Sequence, residues 1–192
     1  MNLPNKLTVS RIALTFVFIF FISRSGLVAM VAAAIVFTLA SLTDFYDGYV
    51  AKKYGLESDF GKLMDPIADK FLILAAFLAF VRMQIIDDWM AVLILGREII
   101  ITGLRLFAVT KGKVLAAELA GKHKTVSQIV AIFAILGFII VKEILTALSR
   151  WSPAIEAWWR GGIIVLMLVT VSLTLISGIS YLWNNRKLIH VQ

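Results

Sequence analysis

Read for hydrophobic and polar positions, the chain alternates long apolar runs with short polar connectors. Six apolar segments stand out, at about 9–23, 27–50, 63–82, 89–110, 125–146 and 161–183. A helix needs ~17–25 such residues to cross a hydrocarbon core of ~30 Å. Five segments meet that length outright, and the first does so only with its polar flanks. The pattern predicts six transmembrane helices. The opening MNLPNKLTVSRIALTF runs from polar to apolar. It reads as an interfacial segment over residues 1–11, a helix starting at Pro4–Arg11 that leads into the first span. Asn5, Thr8 and Arg11 recur every three residues and are expected to face the headgroups together, where plain interfacial anchoring is the bland reading. A signal peptide starts similarly, but here no small-residue cleavage site follows, and a second apolar run comes directly after the first.

Composition agrees with the pattern. Hydrophobic residues make up 60% of 192, and the mean hydropathy is +0.92. Together they point to a single all-α integral membrane domain over 1–192 rather than a soluble globule. The absence of cysteine excludes a disulfide framework and a thiolate site. A net charge of +7 in so apolar a chain points to anionic lipid and phosphate, not to nucleic acid. An even number of spans puts both termini on one side. Eleven Lys and Arg fall on that side (Lys6, Arg11, Lys52, Lys53, Lys62, Lys111, Lys113, Lys122, Lys124, Arg186, Lys187) and five on the other. The excess predicts cytoplasmic termini. Lys70, Arg97 and Arg105 lie inside predicted spans.

The outer connectors are short, apart from Ser149–Trp159, whose Trp151, Trp158 and Trp159 suit an interfacial aromatic belt. Asp87 and Asp88 read as a solvated turn, and His190 as a solvated residue of a basic tail. The thirteen Phe and six Met need no role beyond packing.

Four aspartates interrupt the apolar pattern. In TDFYDGYVAKKYGLESDFGKLMDPIADK, Asp44 and Asp47 are three apart, and Asp65 and Asp69 four apart. On helices each pair shares a face. The short connector Lys52–Asp59, with Gly55 as its turn residue, makes the two helices antiparallel neighbours, so the four carboxylates meet at one level. Uncompensated charges there cost at least ~2.5–3.5 kcal/mol each, and like charges raise one another's pKa. Divalent cations remove both penalties, and hard oxygen ligands suit Mg²⁺, Mn²⁺ or Ca²⁺. Two ions ~3.5–4 Å apart would clamp a displacement at phosphorus. Gly48, Ala51 and Gly61 leave room for a bulky ligand beside them. Pro66, directly after Asp65, either bends a helix to aim Asp65 and Asp69 or marks where that helix begins.

A second constellation is cationic. GREIIITGLR sets Arg97, Glu98 and Arg105 in an apolar helix. Glu98 and Arg105, seven apart, share a face, while Arg97 is rotated by roughly 100°. GKHKTVSQ then brings Lys122, His123 and Lys124 to the same edge. Cations beside a carboxylate–metal site suggest capture of a phosphorylated substrate. The competing reading is a Glu98–Arg pair that holds helices together, plus ordinary membrane-edge lysines. His123 is read as a surface residue or a phosphate donor.

The run Asp44-x2-Asp47-Gly48-x2-Ala51-Lys52-x8-Gly61-x3-Asp65-x3-Asp69 resembles the signature of the CDP-alcohol phosphatidyltransferases. It departs at Lys52, where that family has Arg; Lys keeps the charge without the planar fork. PNKLTVSRI, GREIIITGLR and GKHKTVSQ resemble the branch that uses sn-glycerol 3-phosphate, and the likeness covers the chain to about residue 130. The resemblance implies CDP-diacylglycerol as donor, with CMP and phosphatidylglycerophosphate as products of phospholipid biosynthesis. It implies Asp44, Asp47, Asp65 and Asp69 as ligands of a divalent metal, Mg²⁺ or Mn²⁺, as two ions. Asp69 is then also the general base. The cytidine end falls to Thr43, Gly48, Ala51, Lys52 and Gly61, and the acceptor phosphate to Arg105, Lys122, Arg97, Lys124 and Arg11. Membrane lipids as partners and a homodimer in the bacterial cytoplasmic membrane, its site facing the cytoplasm, are expected as well.

Three alternatives stay open. A sister enzyme would use inositol phosphate, serine or phosphatidylglycerol. A divalent-cation transporter would place its site nearer the midplane. A purely structural protein would leave four clustered acids unexplained.

Overall fold

The computed structural model describes residues 3–54, 59–110 and 119–186, with side chains placed for 8–43, 68, 70–108 and 123–186. Each apolar run becomes a helix: α1 (Leu3–Ile22), α2 (Leu27–Tyr54), α3 (Asp59–Arg82), α4 (Asp88–Thr110), α5 (Leu119–Ala147) and α6 (Pro153–Asn184). The described fold is all-α. Most helices outrun the apolar segment that announced them, because hydropathy marks contact with apolar surroundings and not the end of hydrogen bonding. α3 is the clearest case. It starts at Asp59, so Pro66 lies inside the helix, and the reading in which the helix begins near Pro66 is set aside. The missing N–H of Pro66 leaves the Lys62 carbonyl without its usual partner.

At the N-terminus, α1 is one unbroken helix, so the segment from Leu3 to Arg11 runs straight into the first apolar run. Thr8 and Arg11 are buried in the bundle, Arg11 with 1% exposure, rather than turned to headgroups. The three-residue spacing does put them on one face; that face meets protein.

α1 packs on α2 and α3, α5 on α6 and α2, and α4 on α6 and α3. Buried alanines, among them Ala33, Ala40 and Ala76, let backbones approach closely, as helices in an apolar solvent require. Aromatic rings fill the wider gaps. Phe37 of α2 meets Phe18 of α1 at 5.6 Å and Phe133 of α5 at 5.4 Å between centroids. Large apolar side chains such as Val28, Ile99 and Ile179 point outward, where lipid would satisfy them.

Among the described residues, His123–Ala147 and Pro153–Asn184 are long and apolar enough to cross a membrane. On α6, Trp159 and Trp183 stand 24 residues apart, or ~36 Å along the axis. That span matches a hydrocarbon core of ~30 Å with its interfaces.

The turns after α1, α3 and α5 gather at one end of the bundle. Arg160 of α6 donates to the Gln84 carbonyl in the α3–α4 turn at 3.1 Å. Gln84 and Ser149 close their turns with φ of 55° and 54°. Asp87 and Asp88 are exposed, as a solvated turn requires. Trp151 donates its indole N–H to Glu156 at 3.2 Å, Trp159 leans on Phe138 at 5.7 Å, and Trp158 stays exposed.

Candidate functional site

The opposite end holds the residues that the sequence singles out as candidates. Asp44, Asp47, Gly48, Ala51 and Lys52 lie on the last third of α2, and Gly61, Asp65 and Asp69 on the first half of α3. Their side chains fall outside the described residues, as does that of Lys122 on α5. Among the described residues no three side chains form a metal-ligating group. Thr43 is placed: its hydroxyl donates to the Ala40 carbonyl at 2.7 Å, which leaves only lone pairs for a ligand.

Next to Asp69 on α3 begins a buried polar cluster that joins α3, α4, α5 and α6. Its centre is Glu98 of α4, whose side chain is 10% exposed. Three cations converge on that carboxylate. Lys124 of α5 donates to Oε1, Arg97 donates to the same oxygen at 3.2 Å, and the Lys70 ammonium lies 3.8 Å from Oε2. Lys70 also donates to the Thr102 hydroxyl, one turn along α4. Among the described residues, these four groups carry three positive charges and one negative.

Arg97 turns the other way, onto α6. It donates to Ser177 Oγ at 2.9 Å and passes against Gly178. One turn further along α6, Tyr181 accepts from Arg105 Nε at 3.2 Å, with the guanidinium 5.2 Å from its ring centroid. Between α5 and α6, Gln128 donates to Thr174 at 3.4 Å, and Thr174 to the Thr170 carbonyl at 2.7 Å. Serine, threonine and glutamine line this seam because a polar group in an apolar bundle must find a partner on a neighbouring helix.

A cavity of about 380 Å³ opens beside the cluster between α3, α4 and α5. Lys70, Glu98, Thr102, Lys124 and Gln128 give it a polar side, and Phe71, Leu74, Ile99 and Leu106 an apolar one. It can take an amphiphile, with the anionic part against the two lysines and the chain against the apolar wall.

Of the expected phosphate-binding cations, the structure puts Lys124 in this cavity and brings Arg97 to the same carboxylate. Arg105 lies eight residues beyond Arg97 on α4, ~12 Å along the axis. Arg11 is buried on α1 and is not among the residues lining the cavity. The shared face of Glu98 and Arg105 is kept on the helix, but the long Arg105 stem swings to α6 while Glu98 faces Lys70 and Lys124. His123 is exposed. Sequence reasoning gave no role to Lys70, Gln128, Thr102 or Tyr181. A lysine inside a predicted span, one residue after an aspartate, was the available signal.

The family comparison decides the wider assignment. Residues 1–171 match the CDP-alcohol phosphatidyltransferase family. The chain belongs to that family.

Curated relatives agree along most of its length. A CDP-diacylglycerol–glycerol-3-phosphate 3-phosphatidyltransferase of Bacillus subtilis (strain 168) is 43% identical over 147 residues, 70% of this chain and 76% of that protein. The protein of the same name from Rickettsia bellii (strain RML369-C) is 39% identical over 181 residues, 94% of this chain and 93% of its own. A probable phosphatidylglycerophosphate synthase of Mycobacterium tuberculosis (strain H37Rv) is 36% identical over 183 residues, 94% of this chain and 79% of its own. As a CDP-alcohol phosphatidyltransferase, this chain keeps its acidic signature on α2 and α3 and its cations on α3, α4 and α5, at one end of the bundle.

Proposed function

We propose that this chain transfers the phosphatidyl group of CDP-diacylglycerol to sn-glycerol 3-phosphate, giving phosphatidylglycerophosphate and CMP. The observation that carries the reading is its likeness to proteins named for that reaction, at 39% identity across 94% of this chain in the Rickettsia bellii case. The gathering of Lys70, Arg97 and Lys124 beside one cavity supports a phosphorylated acceptor.

Asp44, Asp47, Asp65 and Asp69 fit a divalent metal by donor chemistry, being hard, anionic oxygens on two adjoining helices. Mg²⁺ or Mn²⁺, as two ions held there, supplies neutralisation of the pyrophosphate charge. Thr43, Gly48, Ala51, Lys52 and Gly61 border the nucleotide end. Asp69 accepts the proton of the acceptor hydroxyl. The freed oxygen attacks the β-phosphorus, the bond to the CMP oxygen breaks, and CMP leaves. Arg105, Lys122, Arg97, Lys124 and Arg11 are assigned to the acceptor phosphate. Lys124 and Arg97 approach it already held by Glu98, which lowers the entropy lost when the phosphate docks.

Six membrane spans, cytoplasmic termini and a homodimer complete the reading. They rest on the charge asymmetry, on the outward apolar side chains and on the family. The test is CMP release by purified protein from CDP-diacylglycerol with a panel of alcohols, with and without chelator. sn-Glycerol 3-phosphate is expected to be the productive acceptor and chelator to abolish release. Release with serine, inositol phosphate or phosphatidylglycerol instead would reassign the acceptor.

A further inference from the structure

At the end of the bundle away from the aspartates lies a second, open cavity of about 550 Å³, bordered by α1, α2, α3 and α5. Ile19, Met30 and Leu78 give it apolar walls, while Arg24, Arg82 and Glu143 stand on it as charged groups. Arg24 comes from the tight α1–α2 turn and holds its guanidinium 4.8 Å from the Phe20 ring centroid. Arg82 ends α3. Among the described residues neither arginine forms an ion pair with Glu143 or with any other acid, although all three line one space. Two guanidiniums and one carboxylate leave a formal charge of +1, and a single phosphodiester cancels it. A guanidinium offers phosphate a planar fork of donors, and the apolar side chains that line the same space suit an acyl chain. Glu143 can accept from a headgroup hydroxyl.

We propose that this cavity binds one anionic glycerophospholipid of the leaflet opposite the catalytic aspartates, with its phosphodiester on Arg24 and Arg82. The inference rests on the six-span reading. A solvated pair of arginines at the membrane edge is the alternative, and it predicts no dependence on lipid headgroup.

Thermal unfolding of delipidated full-length protein in detergent, titrated with lipid, tests it, with CMP release followed in parallel. Phosphatidylglycerol is expected to raise the midpoint, and phosphatidylcholine, diacylglycerol or inorganic phosphate to do so far less. The Arg24→Gln/Arg82→Gln variant should need at least ~10-fold more phosphatidylglycerol for the same rise, since two charge-assisted contacts are lost. Its CMP release should be unchanged. Glu143→Gln should bind the anionic lipid as tightly or more tightly, which keeps the test open if the double variant folds poorly. Equal stabilisation of wild type and double variant, or of wild type by phosphatidylcholine or inorganic phosphate, overturns the proposal. Extraction of the protein from membranes by alkaline carbonate would instead refute the six-span reading, independently of the titration.

Discussion

Arg97 lies so close to Gly178 that a Cβ on that glycine would sit 2.8 Å from Arg97 Cγ. The atom in the way is the stem of the side chain, fixed to α4, and not its mobile tip. Gly178→Ala is therefore expected to push Arg97 off Ser177 and Glu98. Overpacking of this kind costs about 1–3 kcal/mol. The expected result is a lower unfolding midpoint in detergent together with a several-fold higher KM for sn-glycerol 3-phosphate. An alanine variant unchanged in both would show that the α4–α6 contact yields freely.

Glu98 balances Lys70, Arg97 and Lys124, so neutralising it leaves three neighbouring cations without that carboxylate in a poorly solvated site. Breaking a buried pair from one side costs about 3–5 kcal/mol. Glu98→Gln should destabilise the protein by that order. Glu98→Gln combined with Lys124→Met should cost less than the sum of the two single changes, because they act on one contact. Additivity in a double-mutant cycle would mean that the ion pair is not coupled.

Tyr181 accepts a hydrogen bond from Arg105 Nε at 3.2 Å, and its ring centroid lies 5.2 Å from the guanidinium. Tyr181→Phe keeps the ring and loses a bond worth about 1 kcal/mol, whereas Tyr181→Ala loses both. Acceptor KM should rise in the order wild type, Tyr181→Phe, Tyr181→Ala, with Arg105→Ala highest. A flat series would remove Arg105 from the acceptor site.

The six helices were legible because each apolar run is long and bounded by polar turns, and the acidic signature because its spacing carries family information. Burial was not legible. Periodicity reports which residues share a helix face, and it is silent on whether that face meets lipid, headgroup or protein; Thr8 and Arg11 went to protein. The partners of Glu98 were hidden for a related reason. Lys70 and Lys124 stand on other helices, 28 and 26 residues away, and only the packing of α3 and α5 against α4 makes them neighbours. Tyr181 gains a role only because α6 lies beside Arg105.

Glu156 ties the far end together. It stands in the first turn of α6, ahead of the apolar run that starts at Gly161. Its carboxylate accepts from the Trp151 indole at 3.2 Å, from Arg160 at 3.0 Å and from Lys142 at 3.2 Å. These bonds, Trp151's foremost, lower its pKa from 4.5 to about 2. A carboxyl depressed on folding stabilises above its unfolded pKa and loses that contribution as pH falls through the folded value. The unfolding midpoint should thus drop as pH is lowered from about 4.5 towards 2, and Glu156→Gln should flatten that part of the profile. An unaltered profile in the variant would place the acid sensitivity elsewhere.

The aspartates make the sharpest separation of roles. If Asp44, Asp47 and Asp65 only hold metal, their Asn variants lose a charged oxygen ligand and with it metal affinity, so excess Mn²⁺ should restore activity in part at most. If Asp69 also takes the proton, Asp69→Asn keeps a hydrogen-bonding group of the same shape but cannot accept that proton. General-base catalysis contributes typically ~10²–10⁴-fold, and a loss of that size in kcat is expected, with binding of CDP-diacylglycerol largely kept and no rescue by metal. Acceptor KM should change little, since the cations assigned to the phosphate stand on other helices. Donor affinity and turnover measured for Asp44→Asn and Asp69→Asn across a Mn²⁺ series distinguish the two roles. Near-normal turnover in Asp69→Asn would move the base to another residue and leave Asp69 as a ligand alone.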